Sequence, residues 1–212
     1  MSTMIHRTAR VALALCAVIG AGCGSYVRDQ GTGPTQATVA VLEAAPGAEP
    51  NKFGGTLASD VVTNVRKSVN GQIQFVPTIF GDVGRVTMSL MLKDPGTPDS
   101  PSAPTAVNAV TFTRYRVTYI RTDGRNTPGV DVPYAFDSAV TFTATPGDPV
   151  TAGFEIVRNT AKEEAPLRAL VANPTLIGTI AEVTFYGKDR AGHDVTASGS
   201  IGITFGNFGD PD

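Results

Sequence analysis

Four oxygen-bearing side chains, Asp123, Asn126, Asp131 and Asp137, crowd one stretch of the 212-residue chain and are the residues best suited to hold an ion. Three of them lie in the polar run Asp123-Gly124-Arg125-Asn126-Thr127-Pro128-Gly129-Val130-Asp131. Calcium takes about six to eight oxygen ligands, often loop carboxylates and carbonyls, so convergence of these four would offer it a site. The spacing is not that of an EF-hand loop, and Asp-Gly is also a turn dipeptide with its own conformational cause. Both readings, calcium ligands and turn chemistry, stand at this stage.

A second polar run, Gly187 to Asp194, carries Asp189, His193 and Asp194. Paired carboxylates perform glycoside hydrolysis, yet a turn in water lacks the walls that raise an acid's pKa. A Ser-His-Asp triad would have to use His193, because the only other histidine is His6. No constellation of nucleophile, base and orienting acid is spaced for catalysis, and the expectation is a non-enzymatic protein. Arg114 and Arg116, two positions apart, point the same way from an extended strand, as a solvated pair or as a grip on a ligand. The aromatics Tyr115, Tyr119, Tyr134, Phe136 and Tyr186 suit a sugar-stacking platform or the core and corners of a β domain.

The remaining reactive residues are two cysteines, Cys16 and Cys23. His6, Arg7 and Arg10 form a basic start with no acidic residue, and Val11 to Ala21 is an apolar run. That run is too short for a bilayer core, which needs about 20 residues, and has the pattern of a secretory signal. Gly20-Ala21-Gly22-Cys23 resembles the lipobox of bacterial lipoproteins, with Gly20 where the pattern usually holds an aliphatic residue. The resemblance implies a signal peptide over 1–22, lipid on the Cys23 thiol, export and a membrane-lipid anchor. Gly24 resembles the residue that sorts such proteins to the outer membrane. Two or three acyl chains hold durably where one does not.

Loss of residues 1–22 removes two basic residues and no acidic one, moving the net charge from −2 to about −4. Such a chain has no electrostatic footprint for nucleic acid. It would keep one cysteine and so form no internal disulfide. It must then be held together by its core, which a domain of ~150 residues can do.

The elements that position these residues read as strands. Residues 23–52 are rich in Gly, Ala, Pro, Thr and Gln and read as the lipidated cysteine and a flexible linker; one short apolar stretch, Ala37 to Leu42, is a strand candidate with nothing around it to support a core. From Phe53 to Asp212, apolar and polar positions alternate, as in half-buried strands. Val86, Met88, Leu90 and Leu92 share one face, and so do Val150, Ala152, Phe154 and Ile156. Pro77 confines the strand around Ile73 and Phe75 to an edge or a bulge. Within Asn108 to Arg121 the apolar phase changes between Phe112 and Tyr115, which requires a bulge near Thr113-Arg114. Pro166 breaks the helical pattern of 160–171 into a short turn.

Strands at Ala181–Phe185 and Val195–Phe205 flank the 187–194 run and form a hairpin. The segment Glu182-Val-Thr-Phe-Tyr-Gly-Lys-Asp-Arg-Ala-Gly-His-Asp-Val-Thr resembles the closing hairpin of bacterial immunoglobulin-like and fibronectin-type-III-like domains. The resemblance implies an all-β, antiparallel β-sandwich over 53–212 with extra N-terminal strands. The functional expectation is a membrane-anchored binding or cell-envelope module with a protein or glycan partner, and the alternative is a carbohydrate-binding module assisted by calcium. No other cofactor is expected.

Overall fold

The computed structural model describes residues 33–210; the leader and Cys23 lie outside the described residues. The chain is all-β. Its strands are β1 (Thr35–Ala45), β2 (Thr56–Asp60), β3 (Thr63–Val69), β4 (Gln72–Thr78), β5 (Asp82–Leu92), β6 (Gly96–Thr97), β7 (Ser100–Pro101), β8 (Val110–Ile120), β9 (Phe136–Ala144), β10 (Val150–Val157), β11 (Ile177–Asp189) and β12 (Asp194–Gly206). Among the described residues helix is confined to one turn, α1 (Asn159–Lys162), and 3-10 turns at Ala106–Asn108 and Leu167–Val171. The last two helical pieces flank Pro166, whose ring cannot be accommodated within a continuous helix.

Two sheets carry the core. One has the order β1-β5-β10, the other β2-β12-β11-β8-β9. Their inward faces meet in a single apolar cluster: Val86, Met88, Leu90, Phe154 and Ile156 from the first sheet, and Phe112, Val117, Val183, Phe185, Ile201 and Phe205 from the second. Tyr115 packs edge-on against Phe154 and Phe136, with ring centroids 5.1 and 6.1 Å away. Its hydroxyl donates to Glu155 O (2.9 Å), and the Tyr119 hydroxyl donates to Ile156 O (2.7 Å). Each buried tyrosine therefore finds a polar partner on the facing sheet, as a buried hydroxyl must.

The phase change in β8 is a bulge. Thr113 has no counterpart between the pairs Phe112–Gly187 and Arg114–Tyr186, and β8 and β9 shift register at the same place. The extra residue lets Phe112 and Tyr115 both face the core, and it sends Arg114 and Arg116 outward.

Two expectations are corrected. Thr35–Ala45, within the stretch read as linker, is an eleven-residue strand paired along β5 from Thr35–Leu92 to Ala45–Val83. Ala44 and Ala45 are buried, and Val39 and Leu42 pack against Gly199 of the other sheet. Compositional blandness hid it, because a half-buried edge strand needs few large apolar residues. The sheets are also not wholly antiparallel, since β2 runs parallel to β12. After β1 the chain crosses from the first sheet to the second and continues in the same direction, which gives a parallel neighbour without a helical crossover.

The strands define two poles. Residues 190–193 join β11 to β12 at one pole, and Gly33 lies there, where a Cβ would stand 3.5 Å from Asp189 Oδ2. β2 ends opposite Gly206 at the other pole, from which β3 and β4 leave as a separate two-stranded hairpin. Asn70 and Gly71 make its tip with φ of 52° and 76°, the left-handed pair that a two-residue hairpin loop requires.

Candidate functional site

The outward face of the five-stranded sheet gathers the groups that sequence left open. Arg114 and Arg116 converge on Asp137 of β9: Arg114 Nη1 donates to Oδ1 (2.8 Å) and Arg116 Nη1 to Oδ2 (2.6 Å). The Arg114 guanidinium also stacks over the Tyr186 ring at 4.0 Å, where the ring's quadrupole attracts the cation. Thr113, Arg114, Tyr186, Lys188, Arg190 and Asp194 line a groove that runs from this stack to the 190–193 turn. Gly187 shapes its floor, because a Cβ there would come within 2.6 Å of Thr111 O. Lys188 is held by Asp194 at 2.6 Å. A groove with an aromatic ring, three cationic groups, hydroxyls and one carboxylate can stack a sugar ring and bond its hydroxyls or an acidic substituent.

The turn closing this groove is built by Asp189. Its buried carboxylate accepts the Ala191 and His193 amide hydrogens (both 2.9 Å) and stands 2.8 Å from His193 Nδ1. Burial alone pushes this carboxyl up, but the hydrogen bonds from the His193 side chain and backbone and from Ala191 outweigh it and hold it below the ordinary carboxylate value. The pair has the residue types of a catalytic dyad, yet its carboxylate is spent on closing the turn.

Each of the four ion-binding candidates is engaged by protein groups. Asp137 belongs to the sheet and its two arginines. Asp123 lies between Arg121 and Arg125, at 2.6 and 2.8 Å, and their hydrogen bonds hold its carboxyl well below the usual range. Asn126 Oδ1 accepts the Arg121 amide hydrogen (2.6 Å), and Asp131 Oδ2 accepts that of Thr127 (3.2 Å). Among the described residues no group of three or more His, Cys, Asp or Glu is placed to hold a metal. Tyr115, Tyr119 and Phe136 are core residues, while Tyr134 and Tyr186 reach the surface.

One polar cluster left no mark in the sequence. Ser59, Asp82 and Lys162 are all sealed from solvent. Lys162 Nζ stands 2.9 Å from Asp82 and donates to Asp60 O (2.8 Å); Asp82 also accepts from Ser59 Oγ (2.6 Å) and Gly47 N (2.9 Å). Burial pushes the Asp82 carboxyl up, against the downward pull of the Lys162 ammonium and the Ser59 and Gly47 hydrogen bonds. Serine and lysine are the residue types of a hydrolytic dyad, but this hydroxyl donates to the carboxylate instead of to lysine. The cluster fastens β2, β5 and α1 together. Its members lie up to 103 residues apart, with nothing in their local spacing to join them.

No protein-family model, curated protein or solved structure matches the chain.

Proposed function

We propose that the protein is an exported lipoprotein, anchored by acylated Cys23 to a bacterial membrane, the outer one by the Gly24 pattern, and that it acts as a non-enzymatic binding module of the cell envelope. The observation that carries this reading is the basic-apolar leader ending in Gly20-Ala21-Gly22-Cys23, with ordered strand structure following from Thr35. Among the described residues no helix is long and apolar enough to cross a membrane; in this reading the lipid on Cys23 supplies the attachment. Mass spectrometry of the chain recovered from bacterial membranes tests it. The expected N-terminus is Cys23 carrying diacylglycerol, and a free terminus at any other residue overturns it.

The domain is read as an immunoglobulin-like sandwich. In that architecture strands A, B and E lie in one sheet, which strand D extends in constant-type domains, and G, F and C lie in the other, which C′ extends in variable-type domains. The orders β1-β5-β10 and β12-β11-β8-β9 follow this plan in chain order, and β2 fits as a strand that leaves the first sheet to run along G. Under that reading the β3–β4 hairpin is an insertion before strand B.

A second reading, carbohydrate binding, is favoured by the groove at Tyr186. Asp123 and Asp137, two of the calcium candidates, are each paired with two arginines, which supports a form of this reading that needs no calcium. Glycan-array binding that survives chelator and is lost in Tyr186→Ala supports it, whereas binding that chelator abolishes would restore calcium to the reading. Absence of glycan binding at millimolar ligand removes it and leaves a protein partner.

A further inference from the structure

The β3–β4 hairpin has no core behind it, and its side chains are not those of a solvated loop. Register places Phe75 opposite Arg66, Ile73 opposite Ser68 and Pro77 opposite Asn64 on one face, and Lys67 opposite Gln74 on the other. Phe75 is 64% exposed and Ile73 62%, so both large apolar groups stand in water. Between Asp60 and Asp82 the only charged residues are Arg66 and Lys67, in a chain whose net charge is −2. The acids shown at the hairpin are both at its base, where Asp60 accepts from Thr63 Oγ1 (2.8 Å) and Asp210 from Asn64 N (2.5 Å) and Asn64 Nδ2 (2.9 Å), fixing the first residues of β3 to the domain.

We infer that this hairpin docks on an anionic lipid surface, laying Ile73 and Phe75 among the acyl chains' upper segments while Arg66 beside Phe75 meets headgroup phosphates and Lys67, on the other face, adds its charge to the attraction. An exposed apolar face flanked by basic residues, without acids, is the composition that binds such interfaces. A second copy fits less well, because mating two hairpins would bring Arg66 and Lys67 of each beside those of the other with no acid to offset them. The geometry also admits one bilayer for hairpin and anchor together. The ten residues from Cys23 to Gly33 reach about 35 Å, enough for the domain to lie lengthwise on the surface although the hairpin and Gly33 occupy opposite poles. The inference does not depend on acylation of Cys23.

The chain contains no tryptophan, so Phe75→Trp gives a single emitter on the docking face. The full chain carrying F75W and Cys23→Ser is mixed with vesicles of phosphatidylcholine, alone or with phosphatidylglycerol. The expected result is a blue shift and protection from acrylamide with the anionic vesicles only. Arg66→Gln with Lys67→Gln, in the same background, is expected to weaken that response about thirty-fold. Emission unchanged by anionic vesicles overturns the inference, as does equal insertion into neutral ones. A lipid-free blue shift that grows with protein concentration overturns it in favour of a second copy.

Discussion

Two ionic clusters in this domain use similar residues to opposite ends. Asp82 and Lys162 are each about 1% exposed in their side chains, whereas Arg114, Arg116 and Asp137 are between 37 and 52% exposed. In the interior an ion gives up several kcal/mol of hydration and tolerates no loss of its partner. On the sheet face water and salt supply a substitute for either partner, so the pair adds little to stability and its groups stay available to a ligand. What differs is the solvent, not the chemistry. The buried cluster specifies architecture, and the exposed one is free to serve recognition.

Breaking the buried cluster should have the largest effect. Lys162→Met leaves Asp82 without its cation and is expected to cost about 3–5 kcal/mol, read as a lower urea midpoint. Asp82→Leu with Lys162→Met removes both charges and should recover most of that loss, since a buried pair is often replaceable by apolar residues. If the double variant is as unstable as the single one, the hydrogen bonds to Ser59 and Gly47 matter more than the charges. Asp189→Ala removes the acceptor that closes the 190–193 turn and should cost on the order of 1–2 kcal/mol.

The same turn has a pH signature. The Asp189 carboxyl is held below its ordinary value of 3.8, so its contribution is complete above that value and is lost as pH falls through the lower, folded-state value. Protection of the Ala191 and His193 amides, taken relative to the intrinsic exchange rate at each pH, should hold through about pH 4 and fall only in more acid solution. The smallest effect is expected at the surface. Asp137→Asn should shift stability by less than about 1 kcal/mol while altering any ligand binding at the groove. A loss as large as that of Lys162→Met would erase the contrast between the two clusters.

Much of the architecture was legible because strands advertise themselves by period. The bulge at Thr113 followed from one missed beat between Phe112 and Tyr115, and the β11–β12 hairpin from two alternating runs around a polar turn. β1 escaped because its own register slips between Val39 and Val41 and only part of it is buried, which breaks the alternation in a segment already poor in large residues. Of the candidate site, the outward pair Arg114 and Arg116 was legible from phase alone. That Asp137 would pair with those arginines was not, because it depends on the β8–β9 register. The buried trio was invisible for a similar reason. Ser59, Asp82 and Lys162 meet only through tertiary packing, and each alone is an ordinary surface residue type.

The placement of the poles has a mechanical consequence. The described chain begins at the turn pole with Gly33, and Asp210 ends it beside the base of the hairpin at the other. Any force between an N-terminal tether and a partner held at the far pole therefore acts along β1. The β1–β5 hydrogen bonds lie across that direction, so they bear the load in shear and together, instead of parting one after another. A strand that composition disguises as slack tether is thus the member that would carry tension.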